Sequence, residues 1–65
     1  MLKLTDSERA VMELICDGRE VRSIARVMDI SDSVIYQNIV DACARNGCRN
    51  RAELSYRMGM EAKNE

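Results

Sequence analysis

Apolar residues recur at helical spacing in four stretches of this chain, each closed by polar or glycine punctuation. In the first, Val11, Leu14 and Ile15 stand at i, i+3 and i+4 behind Thr5-Asp6-Ser7-Glu8. That prefix has the spacing of a capping box. The Thr5 hydroxyl can accept from the amide of residue 8, and the Glu8 carboxylate can accept from the amide of Thr5. Asp6 and Glu8 also stand at the positive end of the helix dipole. Gly18, after Asp17, suits the left-handed conformation that ends a helix, so the first helix is predicted over 6–17.

Val21, Ile24, Ala25 and Met28 form one face of a second helix, 21–28. Its start is poorly capped, because Glu20 takes the N-cap position and Ser23 follows three later, the reverse of a capping box. Asp29 ends it. Ser31 then caps a third helix, 32–45, with Asp32 in its first turn. Ile35, Ile39, Ala42 and Cys43 line one face of that helix. The opposite face carries Ser33, Val34, Gln37, Val40, Asp41 and Ala44, flanked by Tyr36 and Asn38. Asn46-Gly47 breaks the third helix, and Asn50 with Glu53 caps a fourth, 51–60. The fourth has two apolar stripes, Leu54 with Met58 and Ala52 with Tyr56 and Met60. One stripe suffices for a last helix to join the core, so the second marks a partner surface. The polar residues 61–65 are expected to fray. No proline, repeat or strand-like alternation interrupts this all-α pattern, and 65 residues form a single domain, 1–65. Two short helices across a joint as tight as Asp29-Ile30 are the sequence form of a helix-turn-helix, whose second helix presents its outer face to DNA.

Composition narrows the chemistry. With no Phe or Trp and two Tyr, the core is built from Leu, Ile, Val, Met, Ala and Cys. A chain this short buries only about 60% of its unfolded surface, so pairing with a second copy would add stability. The net charge of −1 is not the basic balance of a typical nucleic-acid binder, but the distribution is uneven. Residues 6 to 17 are net −3 and residues 45 to 57 are net +3, which allows one basic side on a neutral protein. Cys16, Cys43 and Cys48 lack CxxC spacing and there is no His, so they are expected to be small apolar core residues in a reducing cytoplasm, with neither metal nor cofactor. Met1-Leu2-Lys3 leads straight into a polar helix start, so no signal sequence is expected, and no apolar run approaches about 20 residues. No nucleophile–base pair, phosphate loop or metal set supports an enzyme.

The run Leu4-Thr5, Glu8, Val11, Leu14-Ile15, Gly18, Ile24-Ala25, Ile30-Ser31, Ile35, Gly47, Asn50-Arg51 and Glu53-Leu54 resembles, without a gap, the LuxR/GerE-type helix-turn-helix domain of bacterial transcriptional regulators. GerE-like proteins are stand-alone domains of about this length. The resemblance implies four helices, a helix-turn-helix in the second and third, and a homodimer contact through the fourth at Ala52, Tyr56 and Met60. It implies promoter DNA as partner, read in the major groove by Ser33, Tyr36, Gln37, Asn38 and Val40. Phosphate contacts would fall to the amides at Val21 and Arg22 and to the side chains of Arg22, Arg45 and Arg51; beside the resemblance, Arg26 and Arg49 are further cations expected to compensate for missing basic positions. The setting would be cytoplasmic and nucleoid-associated, with another LuxR-type regulator or the transcription machinery as further partners.

The chain also departs from the family. Where the family usually has Thr-Val-Lys-x-His, this chain has Val34-Ile35-Tyr36-Gln37-Asn38, which lacks both the phosphate-binding Thr and the basic residue. Glu20 stands where a capping Ser is usual. Two functions follow from these residues: a sequence-specific DNA-binding regulator, or a small anti-activator that pairs with a LuxR-type regulator and blocks its DNA binding.

Overall fold

The computed structural model describes residues 1–63 and contains four helices, α1 (Asp6–Cys16), α2 (Val21–Met28), α3 (Asp32–Arg45) and α4 (Arg51–Lys63). The all-α, four-helix architecture expected from the periodicity is present. Each helix start follows from its cap. Thr5 accepts from the amide of Glu8 at 3.1 Å while Glu8 accepts from the amide of Thr5 at 2.9 Å, which completes the capping box. Ser31 accepts from Val34 N at 3.3 Å, and Asn50 accepts from Glu53 N at 2.9 Å. Glu20 makes no side-chain cap, so α2 begins bare.

The helix ends are equally local. Gly18 has φ +87, with the amide of Arg19 reaching back to Leu14 O at 3.2 Å. Asp29 adopts the left-handed region at φ 55, and Ile30 N returns to Ala25 O at 3.0 Å, which folds α3 back against α2. Asp tolerates that region better than most residues with a side chain, which lets the turn close without glycine.

Val11, Met12, Ile24, Ile35 and Leu54 are fully buried, with Val21, Ala25, Ile39, Ala42, Cys43 and Leu2 completing the core. The inner face of α3 is the one expected. On α1 the buried face is rotated: Glu8, Val11 and Met12 are buried, whereas Leu14 and Ile15 are only partly so. Cys16 is exposed rather than in the core, because it falls outside the buried arc of α1. Cys48 is half-buried.

The end of the chain differs from the expected frayed tail. α4 continues through Lys63, while residues 64 and 65 lie outside the described residues. The reason is a tertiary contact. The backbone amide of Leu2 donates to both carboxylate oxygens of Glu61, at 3.1 and 3.0 Å, so the N-terminal segment holds the last turns of α4 in place. Asn46 clasps the same segment, accepting from Lys3 N at 2.7 Å and donating to Lys3 O at 2.9 Å.

Candidate nucleic-acid interface

α2 buries Val21, Ile24 and Ala25, and α3 buries Ile35 and Ile39, so the remaining face of α3 is turned to solvent. Ser33, Val34, Tyr36, Gln37 and Val40 are all exposed, Tyr36 at 54% and Val40 at 59%. Asn38 is only half-buried and already engaged. Its amide donates to Val34 O at 3.0 Å and its carbonyl accepts from Ser7 Oγ at 3.4 Å. Gln37 Nε2 donates to Asp41 Oδ1 at 2.8 Å, one turn on along the same face. Among the residues expected to read bases, Ser33, Tyr36 and Val40 are therefore unengaged, Gln37 has a solvent-exposed partner to exchange, and Asn38 is tied to α1.

The five arginines expected at phosphates separate into different surroundings. Arg22 and Arg51 come together with Tyr36 in one depression of about 670 Å³, along with Arg19, Glu20 and Asp32. The bare N-terminus of α2 belongs to the same depression through Val21. Among the described residues, the amides of Val21, Arg22 and Ser23 find no acceptor. Such amides, with the positive end of the helix dipole behind them, are of the kind that can accept an anion. Arg19, which periodicity did not single out because it lies between helices, adds a third guanidinium. The polar run Gly18-Arg19-Glu20 before an uncapped helix was the available signal.

Arg45 lies elsewhere and has another task. It pairs with Glu8 and also donates to Lys3 O, so much of its charge is committed to the fold. Glu8 is 3% exposed, and the Arg45 hydrogen bond holds its carboxyl below the usual carboxylate range against the opposing effect of burial. The same hydrogen bond raises the Arg45 guanidinium above its ordinary value. Arg49 pairs with Glu53 at 3.3 Å, an exposed i,i+4 contact that little energy opposes breaking. Arg26 is exposed near the end of α2, away from this depression. The net +3 of residues 45 to 57 is thus less available than the sequence suggests, while Arg19, Arg22, Arg26 and Arg51 form no ion pair among the described residues.

The family model for bacterial regulatory proteins of the luxR family, GerE, matches residues 2–58. The chain belongs to the LuxR family. The match spans all of α1 to α3 and most of α4, so this LuxR domain carries its helix-turn-helix in α2 and α3 and belongs to a family of DNA-binding bacterial regulators. No curated protein and no solved structure gives a significant match. Among the described residues, no helix is long and apolar enough to cross a membrane.

On α4, the three residues expected at a dimer contact share the solvent side: Ala52 and Met60 are exposed and Tyr56 is 68% exposed. Leu54 and Met58, the other stripe, face the core.

Proposed function

We propose that this LuxR-family domain is a sequence-specific DNA-binding transcriptional regulator that acts as a homodimer, with α3 laid in the major groove and its neighbouring phosphates held at the start of α2. The observation that carries this reading is the uncapped start of α2: Val21 and Arg22, whose amides find no acceptor among the described residues, line a depression in which Arg19, Arg22 and Arg51 outnumber Glu20 and Asp32 beside the exposed Tyr36. DNA affinity is set largely by phosphate neutralisation, and this cluster supplies it although the exposed positions Ser33, Tyr36, Gln37 and Val40 of α3 carry no basic residue. Gln37 can exchange Asp41 for an adenine edge, and Val40 can lie against a thymine methyl, which leans the half-site toward A·T. Ser33 and Asn38 stand beside them for further base or backbone contacts. Arg26, Arg45 and Arg49 contribute more weakly, Arg45 least because of Glu8.

The dimer forms through Ala52, Tyr56 and Met60 of α4, and places two α3 helices on half-sites about one helical turn apart. The setting is cytoplasmic and nucleoid-associated, and the transcription machinery is a further partner. Titration against random duplex DNA at two salt concentrations tests the reading. Binding is expected with a log–log salt slope of several units, about −0.9 for each phosphate contacted. Absence of binding at low salt would overturn it.

A second reading draws on a separate observation. The solvent face of α3 exposes Val34, Tyr36 and Val40, and its charges are Asp32 and Asp41. A face that is apolar and acidic suits a protein partner, such as a LuxR-type regulator whose DNA binding it would block. This anti-activator role predicts a mixed complex with such a regulator and no DNA binding by this chain alone.

A further inference from the structure

α3 ends in a Schellman turn: Gly47 has φ +66, Asn46 is the C-cap, and Cys48 N donates to Cys43 O at 2.9 Å. In this motif the side chains on either side of that last hydrogen bond meet as an apolar contact over the turn. Here both of them are cysteines. Cys43 belongs to the core and Cys48 packs against the core from outside. With ordinary bond lengths on either side, the 2.9 Å hydrogen bond limits the separation of the two Cα atoms to about 7 Å at full stretch, and any bend shortens it. A disulfide spans Cα separations of about 4.4–6.8 Å. The two thiols also differ in surroundings. Cys48 is half-buried and faces Arg57, whose guanidinium donates to its sulfur at 3.4 Å and to Asn46 O at 2.5 Å. Burial raises the Cys43 thiol above its ordinary value, which makes it slow to attack a reagent from solution.

We propose that Cys43 and Cys48 form a redox-modifiable pair that closes an intramolecular disulfide across the Gly47 turn on meeting a low-molecular-weight disulfide. Cys48, the accessible sulfur with a cation beside it, attacks one sulfur of the reagent as thiolate, breaking its S–S bond and releasing one thiolate that takes up a proton. The resulting mixed disulfide on Cys48 is then attacked by Cys43, which loses its proton as the second thiol leaves. The two cysteines are oxidised, the reagent is reduced to two thiols, and the product is a Cys43–Cys48 bond. Cys16, exposed on α1, can exchange with the same reagent but is not part of the Cys43–Cys48 pair. The bond would tie the last turn of α3 to the loop entering α4, the same loop where Asn46 clasps Lys3.

The test uses the full chain carrying Cys16→Ser, which leaves Cys43 and Cys48 as its cysteines. After incubation with oxidised glutathione and quenching, the unfolded protein is alkylated and weighed intact. The expected product is a monomer lighter by about 2 Da with neither thiol alkylated, returning to two alkylated thiols after a dithiol reductant. Cys48→Ser and Cys43→Ser added to that background should each abolish the 2 Da loss. A stable glutathione adduct at Cys48 with Cys43 still alkylated, a disulfide-linked dimer, or two free thiols would each overturn the proposal. Peptide mapping of the unsubstituted chain gives the same decision should Cys16→Ser fold poorly, the linked 43–48 peptide being required. No DNA enters the measurement, so its outcome is independent of the DNA-binding reading.

Discussion

Glu8 is the residue whose surroundings most exceed what its neighbours in the chain announce. Its capping role is local, but its burial against Arg45, 37 positions away, is not. Because the Arg45 hydrogen bond depresses the folded-state value of Glu8, the pair contributes stability that is complete above the unfolded glutamate value, about 4.3, and is lost as pH falls through the lower folded value. Glu8→Gln is expected to cost about 1–2 kcal/mol at neutral pH, read as a lower urea midpoint, with the gap to the parent narrowing on acidification. A gap that widens in acid would contradict this account of the pair. Two exposed residues separate the functional roles. Gln37→Ala should relax base preference by about 1–3 kcal/mol at one position, whereas Arg51→Ala should weaken binding to all sequences alike and lower the salt slope by about one. Fluorescence anisotropy on specific and random duplexes distinguishes them; an Arg51→Ala effect confined to base preference would reverse the assignment.

At the scale of the element, α2 is the one helix that starts without a side-chain cap, and its bare amides are the most useful feature for binding an anion. The same position carries Glu20, a carboxylate within the depression that phosphate would enter. Glu20→Ser should therefore raise stability by about 1 kcal/mol by supplying the missing cap, whereas Glu20→Gln should strengthen DNA binding by removing the repulsive charge. Chemical denaturation and the salt titration read the two effects separately, and weaker binding in Glu20→Gln would count against phosphate at the start of α2. The helix limits themselves were largely legible in the chain. Thr5, Ser31 and Asn50 each make the cap bond their spacing implies, since such bonds close within a few residues. The left-handed Asp29 and the rotation of α1 onto Met12 were not legible, because each is set by how α1, α2 and α3 press on one another.

For the molecule as a whole, the two stripes of α4 divide cleanly between the core and solvent. A domain of this size has a thin stability margin, and covering Tyr56 and Met60 in a dimer would add to it. Tyr56→Glu is expected to shift the sedimentation mass toward the monomer and to weaken binding to paired half-sites more than to a single one. An unchanged mass would place the dimer contact on another surface. The charge distribution shows the limit of adding up segments. The basic stretch 45–57 loses Arg45 to Glu8 and Arg49 to Glu53, and the cations left for phosphate include Arg19, Arg22 and Arg51 from two separate parts of the chain.

The amino-acid sequence alone determined the four helices, the inner face of α3 and the family, because caps, apolar periodicity and glycine stops act within one or two turns of backbone. Which polar residues are free to act was decided only by the tertiary structure. Glu8 and Arg45, Leu2 and Glu61, Lys3 and Asn46 meet across 37, 59 and 43 positions, and such partners are chosen by helix packing that no local pattern encodes. The same packing spares Arg19, Arg22 and Arg51 from ion pairs among the described residues and gathers them at the uncapped start of α2.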